Sequence, residues 1–180
     1  KINQPDIDSG YTLDDNARAL VAMCQHFELT HDKSDIPYII TYFNFIKYCL
    51  QSDGSFLNYV DEHTNFTEQN YSTNLSDAHG RAVWALGYLV SISSLLPGYL
   101  SVDAEATMQQ ALTNVRTIHS TRAMSFLIKG LYYYRVKIKT ERELDLIREL
   151  ANRLVQMYRH EAQAEWQWFE SYLTYANSIL

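Results

Sequence analysis

Three segments of the chain share one plan: Asn16-Ala-Arg-Ala-Leu-Val-Ala-Met, Gly80-Arg-Ala-Val-Trp-Ala-Leu and Thr121-Arg-Ala-Met-Ser-Phe-Leu. In each, Arg-Ala falls in the first turns of a helix and an apolar run follows. A repeated unit of this kind cannot bury its apolar face alone, so stacked neighbours must complete the core. The plan predicts antiparallel helical hairpins, with the odd helices, opened by Arg18, Arg81 and Arg122, inside and the even ones outside. The expected fold is all-α, about seven helices in one domain over residues 1–180. Six glycines and three prolines in 180 residues fall well under the usual share of about 12%. That is too few for a turn-dense β fold.

The first helix is expected to start near Asp14 or Asp15, whose carboxylates suit the positive end of a helix. Ala17, Leu20, Val21, Cys24 and Phe27 supply its apolar stripe. Pro37 fits the first turn of a second helix, over about 35–51. Asp53-Gly54 marks a turn, Phe56 to Val60 a short extended piece, and the polar run to Asn74 the longest loop. Loops of that length in a compact domain usually carry function. Further helices are expected over 76–95, 102–119, 121–137 and 141–159. A loop with Trp166 and Trp168 then leads into a seventh, reaching Leu180.

Several function classes drop out. Ala82 to Val102 carries no charge and is long enough to span a bilayer. Four serines and Pro97-Gly98 interrupt it, and an inner helix flanked on both sides accounts for it without a membrane. A net charge of −6 leaves no basic footprint for nucleic acid. The glycines are too dispersed for a phosphate loop, and Ala164 stands where a second zinc-binding His would follow His160-Glu161. No metal or cofactor is expected. If the first two helices fold back near residue 32, Cys24 lies opposite residue 41, roughly 12 Å along the axis from Cys49. That exceeds the ~7 Å limit for a disulfide. Both thiols should be free, and with no signal peptide visible after Lys1 a cytoplasmic location is expected.

In a hairpin array every odd helix starts at the same rim. That rim would gather Asp14, Asp15, Asn16 and Arg18, then Asp77, His79 and Arg81, then Trp168 and Glu170, with Phe56 and Asn58 added by the 52–75 loop. Carboxylates, arginines, a histidine and aromatic rings are the materials of a carbohydrate site. Glycoside hydrolysis needs two carboxyls, and Asp15 and Asp77 are the catalytic candidates. Asp14, Asn16, Arg18, Phe56, Asn58, His79, Arg81, Trp168 and Glu170 are the substrate-binding candidates, Trp168 by stacking, and all should face one cavity. Structural roles compete at each position. Asp14 and Asp77 suit helix caps, His79 a hydrogen-bonded core histidine, and Trp84 the core. Arg18 and Arg81 suit ion pairs with Asp15 or Asp77. Sugar binding without catalysis and a helical scaffold for protein partners are the alternative functions.

Tyr11-Thr-Leu-Asp-Asp-Asn-Ala-Arg-Ala-Leu, Asp53-Gly-Ser-Phe-Leu-Asn and Asp77-Ala-His-Gly-Arg-Ala-Val-Trp-Ala-Leu-Gly resemble an α/α-toroid region of bacterial proteins. That region is commonly attached to glycosyltransferase domains and belongs with the six-hairpin glycosidase-like folds. The resemblance spans about residues 9–130. Ser55 and Leu57 depart from it, standing where Arg and His are expected. It implies a toroid fold and a carbohydrate-handling role. The paired aspartates look like those of endo-mannanases, and the His-Gly-Arg segment is similar to N-acylglucosamine 2-epimerases. Three and a half hairpins against a toroid's six imply a fragment, or an arc that pairs with a second copy. A two-fold homodimer is therefore expected. The alternative is that Trp166, Trp168 and Tyr172 fold back and close the edge within one chain.

Overall fold

The first inner helix is started by a hydroxyl. In the computed structural model, which describes residues 10–173 and 175–180, the Thr12 side chain accepts from the Asp15 amide at 3.1 Å. Helix α1 runs from there over Leu13–Thr30 and ends on His31 in the left-handed region, φ 55°. Helix α2, Ile36–Cys49, carries Pro37 in its first turn, where the missing N–H has no partner to lose. Strand β1, Tyr11–Thr12, pairs antiparallel with β2, Tyr59–Val60, tying the long loop to the start of α1. A single turn, α3 (Gln69–Ser72), precedes α4, Ser76–Ser91, and α5, Gly98–Ala111, follows. Helices α6, Thr121–Lys137, and α7, Glu141–Glu161, complete the described helices.

These helices form three hairpins, α1/α2, α4/α5 and α6/α7, with α1, α4 and α6 side by side as the inner row. Flanking on both sides explains the uncharged stretch. From Ala78 to Val90 of α4 only Trp84 is not buried. Among the described residues no helix is long and apolar enough to cross a membrane. Cys24 and Cys49 are free and buried on different helices.

The seam between α4 and α6 is the tightest in the molecule, and glycine makes it so. Gly80 and Gly87 on α4 meet Ala123 and Gly130 on α6, the same seven-residue spacing on both helices. A Cβ on Gly87 would sit 2.1 Å from the Gly130 carbonyl oxygen, and one on Gly130 would sit 2.5 Å from that of Val83. Only residues without side chains let the backbones approach this closely.

Two expected elements differ. Helix α5 begins at Gly98, directly after Pro97, rather than at Val102, and ends at Ala111 before a separate 3-10 turn, Val115–Thr117. The seventh helix expected near the C-terminus is replaced by bends, a Gln163–Trp166 bridge and a 3-10 turn, Asn177–Ile179. No described residue between 162 and 180 is buried. A short helix with no core to bury its stripe has little to hold it. This segment instead folds back over the starts of α4 and α6, gripped by their polar side chains.

Candidate functional site

The site begins with the amides that α1 leaves unpaired. The Leu13 amide donates to the Asn58 carbonyl at 2.8 Å, and the Asp14 amide to Asn58 Oδ1 at 3.0 Å. Asn58 is buried and serves as a cap delivered from the distant loop. It is itself held by Asn70, whose Oδ1 accepts from the Asn58 and Tyr59 amides at 2.7 and 2.9 Å. The Asn70 amide group donates back to the Tyr59 and Thr67 carbonyls. Nothing in the sequence singles out Asn70 from its polar neighbours, yet it fixes the loop.

The carboxylates on this rim are fully engaged. Asp14 accepts from Arg81 at 2.7 Å and from Arg18 at 3.2 Å. Asp15 accepts from Arg18 and from the Thr12 hydroxyl, both at 2.6 Å. Asn16 donates to the Thr12 carbonyl. Arg81, buried, lies between the Phe126 ring at 4.7 Å and the Tyr175 ring at 5.4 Å, a placement that favours a cation. Its carboxylate partner is Asp14, not Asp15 or Asp77.

Asp77 lies one helix further along. It accepts from the Ser120 hydroxyl at 2.8 Å and from the Tyr175 hydroxyl at 3.1 Å. Ser120 also caps α6 by accepting from the Ala123 amide, so the α4 and α6 starts are joined through one side chain. Arg122 grips Glu170 with both terminal nitrogens, and the Thr121 hydroxyl donates to the same carboxylate. Its Nε donates to the Tyr175 carbonyl at 3.0 Å. Asp77, Thr121, Arg122, Glu170, Tyr172 and Tyr175 border a cavity of about 350 Å3. A larger hollow of about 580 Å3, between the start of α6 and the end of α7, adjoins it across His119 and Met157.

The single expected cavity is thus divided. His79 and Phe56 face a different cleft, of about 320 Å3, on the other flank of the α4 start. Asp14 and Asp15 line neither. Phe56 is buried edge-on against the His79 ring at 5.0 Å, so it cannot serve as an open sugar platform. Burial pulls His79 down from 6.5 to about 4, partly offset by the Ala111 carbonyl and Asp53. Trp168 packs edge-on against Phe169 with its Nε1 buried; the open rings at the Asp77 cavity are Tyr172 and Tyr175, each 60% exposed. The Trp84 ring is packed against α6, stacked on Phe126 at 5.6 Å and with the Lys129 ammonium at 4.1 Å from its centre. Arg122 is the cavity-lining residue that the repeat plan marked but the rim reading passed over. Among the described residues no group of three His, Cys, Asp or Glu side chains is placed to hold a metal ion.

No protein-family model matches the sequence, and no curated protein is detectably similar to it.

Proposed function

We propose that the rim at the starts of α1, α4 and α6 binds carbohydrate through the Asp77 cavity, as a sugar-binding arc of the α/α-toroid type. One observation carries this reading: carboxylates, a buried arginine and hydroxyls border the same cavity as two tyrosines that are 60% exposed. Rings cover the apolar face of a pyranose while the polar groups take its hydroxyls. Three hairpins with a common inner row support the arc, and two buried free thiols are in keeping with a reducing, cytoplasmic setting. Association with a glycosyltransferase rests on the motif resemblance.

Binding without turnover is favoured over hydrolysis. A general acid calls for an apolar or like-charged setting. Each Asp15 and Asp77 oxygen instead faces an arginine or a hydroxyl. A glycan array and a hydrolase screen on the same protein test the reading. Glycan capture that is lost in Tyr172→Ala, with no hydrolysis, supports it. Turnover abolished by Asp77→Asn overturns it in favour of a glycosidase, and capture of no glycan leaves the protein-scaffold reading. Self-association through a second copy belongs to the same proposal and is read by sedimentation equilibrium.

A further inference from the structure

The cleft beyond the Asp77 cavity lies between the 52–75 loop, the start of α4 and the α5–α6 connection. Its walls carry hydroxyls, amides and apolar side chains, and no charged group besides the titratable His79. Several of the polar groups are already committed. Asn70 bonds to four backbone groups, and the Thr117 hydroxyl donates to Asn114.

His79 differs. It is 3% exposed, and its Nε2 is the one buried side-chain polar atom of this lining without a hydrogen-bond partner among the described residues. The ring is held edge-on by Phe56, and the Ala111 backbone carbonyl acts on it as an acceptor, favouring a proton on the ring. A neutral imidazole has one donor and one acceptor nitrogen. The tautomer that directs its N–H to the Ala111 carbonyl leaves Nε2 as a buried lone pair, and a buried polar atom without a partner calls for an explanation.

What Nε2 lacks is a donor. A cation would shed its hydration in a cleft whose lining holds no carboxylate to coordinate it, Asp53 lying outside that lining. An anion would bring lone pairs toward a lone pair. One water occupies only about 30 Å3, roughly a tenth of the space. An alcohol hydroxyl donates without carrying charge, and Leu57 and Ile118 on the same walls suit the C–H face of a sugar ring.

We propose that this cleft binds an uncharged, hydroxyl-bearing ligand, a neutral sugar residue, one of whose hydroxyls donates to His79 Nε2. Nε2 itself is covered, so a ligand hydroxyl reaches it only after a local shift of the residues lining the cleft. The cleft shares no lining residue with the Asp77 cavity, so this inference and the rim reading fail separately.

The test is two-bond 1H–15N spectroscopy of the full chain labelled with 15N-histidine, His79→Gln assigning the ring among the six histidines. Glucose, mannose and N-acetylglucosamine are titrated, with inorganic phosphate and acetate as charged controls. The expected result is a saturable shift of His79 Nε2 with at least one neutral sugar and none with either anion. Thr117→Trp, which fills the mouth from an exposed position and leaves His79 in place, should weaken that shift at least tenfold. Tyr172→Ala, at the other cavity, should leave it unchanged. No response to any of the three sugars, an equal response to phosphate, or a full response in Thr117→Trp overturns the proposal.

Discussion

Asp14 and Arg81, 67 residues apart in sequence, meet at 2.7 Å across the junction of α1 and α4. The arginine side chain is 4% exposed and the aspartate 25%. Removing the carboxylate strands a buried cation, which typically costs about 3–5 kcal/mol. Asp14→Ala should therefore approach that loss in urea unfolding. Asp15→Ala breaks an exposed pair with Arg18 and an exposed hydrogen bond from the Thr12 hydroxyl and should cost about 1 kcal/mol or less. Equal losses for the two variants would show that the buried pair is not what joins the helices.

The glycine seam makes a contrast within one residue type. Gly87→Ala forces a Cβ to within 2.1 Å of the Gly130 carbonyl oxygen, and overpacking at a rigid contact costs about 1–3 kcal/mol or more. Gly98→Ala meets nothing within 4 Å at the first position of α5 and should be neutral or stabilising by up to ~1 kcal/mol. Thermal melts of the two variants read the difference directly. A Gly87→Ala protein as stable as the parent would mean the two backbones stand further apart.

Stability should fall on mild acidification, and His79 sets the window. Its folded value of about 4 lies below the ordinary 6.5, so the neutral ring is the form that folding favours. The contribution is whole above pH 6.5 and disappears as the pH falls toward 4, up to roughly 3 kcal/mol. The carboxylates held low by turn hydrogen bonds, Asp32, Asp53 and Asp61, act only below their ordinary 3.8. Urea unfolding between pH 4 and 7 should show the slope in the parent and a much flatter line in His79→Gln. The same slope in both proteins would assign it to another group.

The C-terminal segment hangs on charge more than on burial. Glu170→Gln removes the carboxylate that Arg122 and Thr121 share while leaving the helical core untouched. Limited proteolysis should then cut between residues 162 and 180 faster than in the parent, with an unchanged far-UV spectrum. Raising the salt concentration on the parent should move it partway to the same behaviour. Identical cleavage rates would show that the Tyr175 bonds to Asp77 and Arg122 hold the segment without the ion pair.

The inner row was legible because Arg18, Arg81 and Arg122 recur at the same phase of an apolar pattern, and phase is what a sequence displays. The rim followed from it: helices that run the same way start at the same end. The division of the rim into two hollows was not legible, because it depends on which flank of α4 each side chain leaves from. Asp77 and His79 are two residues apart, and on a helix that spacing points them to different sides. The final segment misled for a related reason. Trp166 to Leu180 has the composition of a helix, but composition does not state whether a core surface exists to receive it. The arginines of α4 and α6 offered polar anchors instead. Gly80 and Gly87 were visible throughout, but their meaning depends on partners, Ala123 and Gly130, that only packing reveals.

That glycine seam also decides how the Asp77 cavity can open. Two backbones this close have no long side chains between them to compress or rotate, so the Asp77 and Ser120 side of the cavity behaves as a fixed jaw. The opposite side, built from Glu170, Tyr172 and Tyr175, rests on a handful of polar contacts and can swing as a hinged one. The aperture therefore widens in one direction only, away from the helices, and its narrowest setting is determined by the absence of three methyl groups, at Gly80, Gly87 and Gly130.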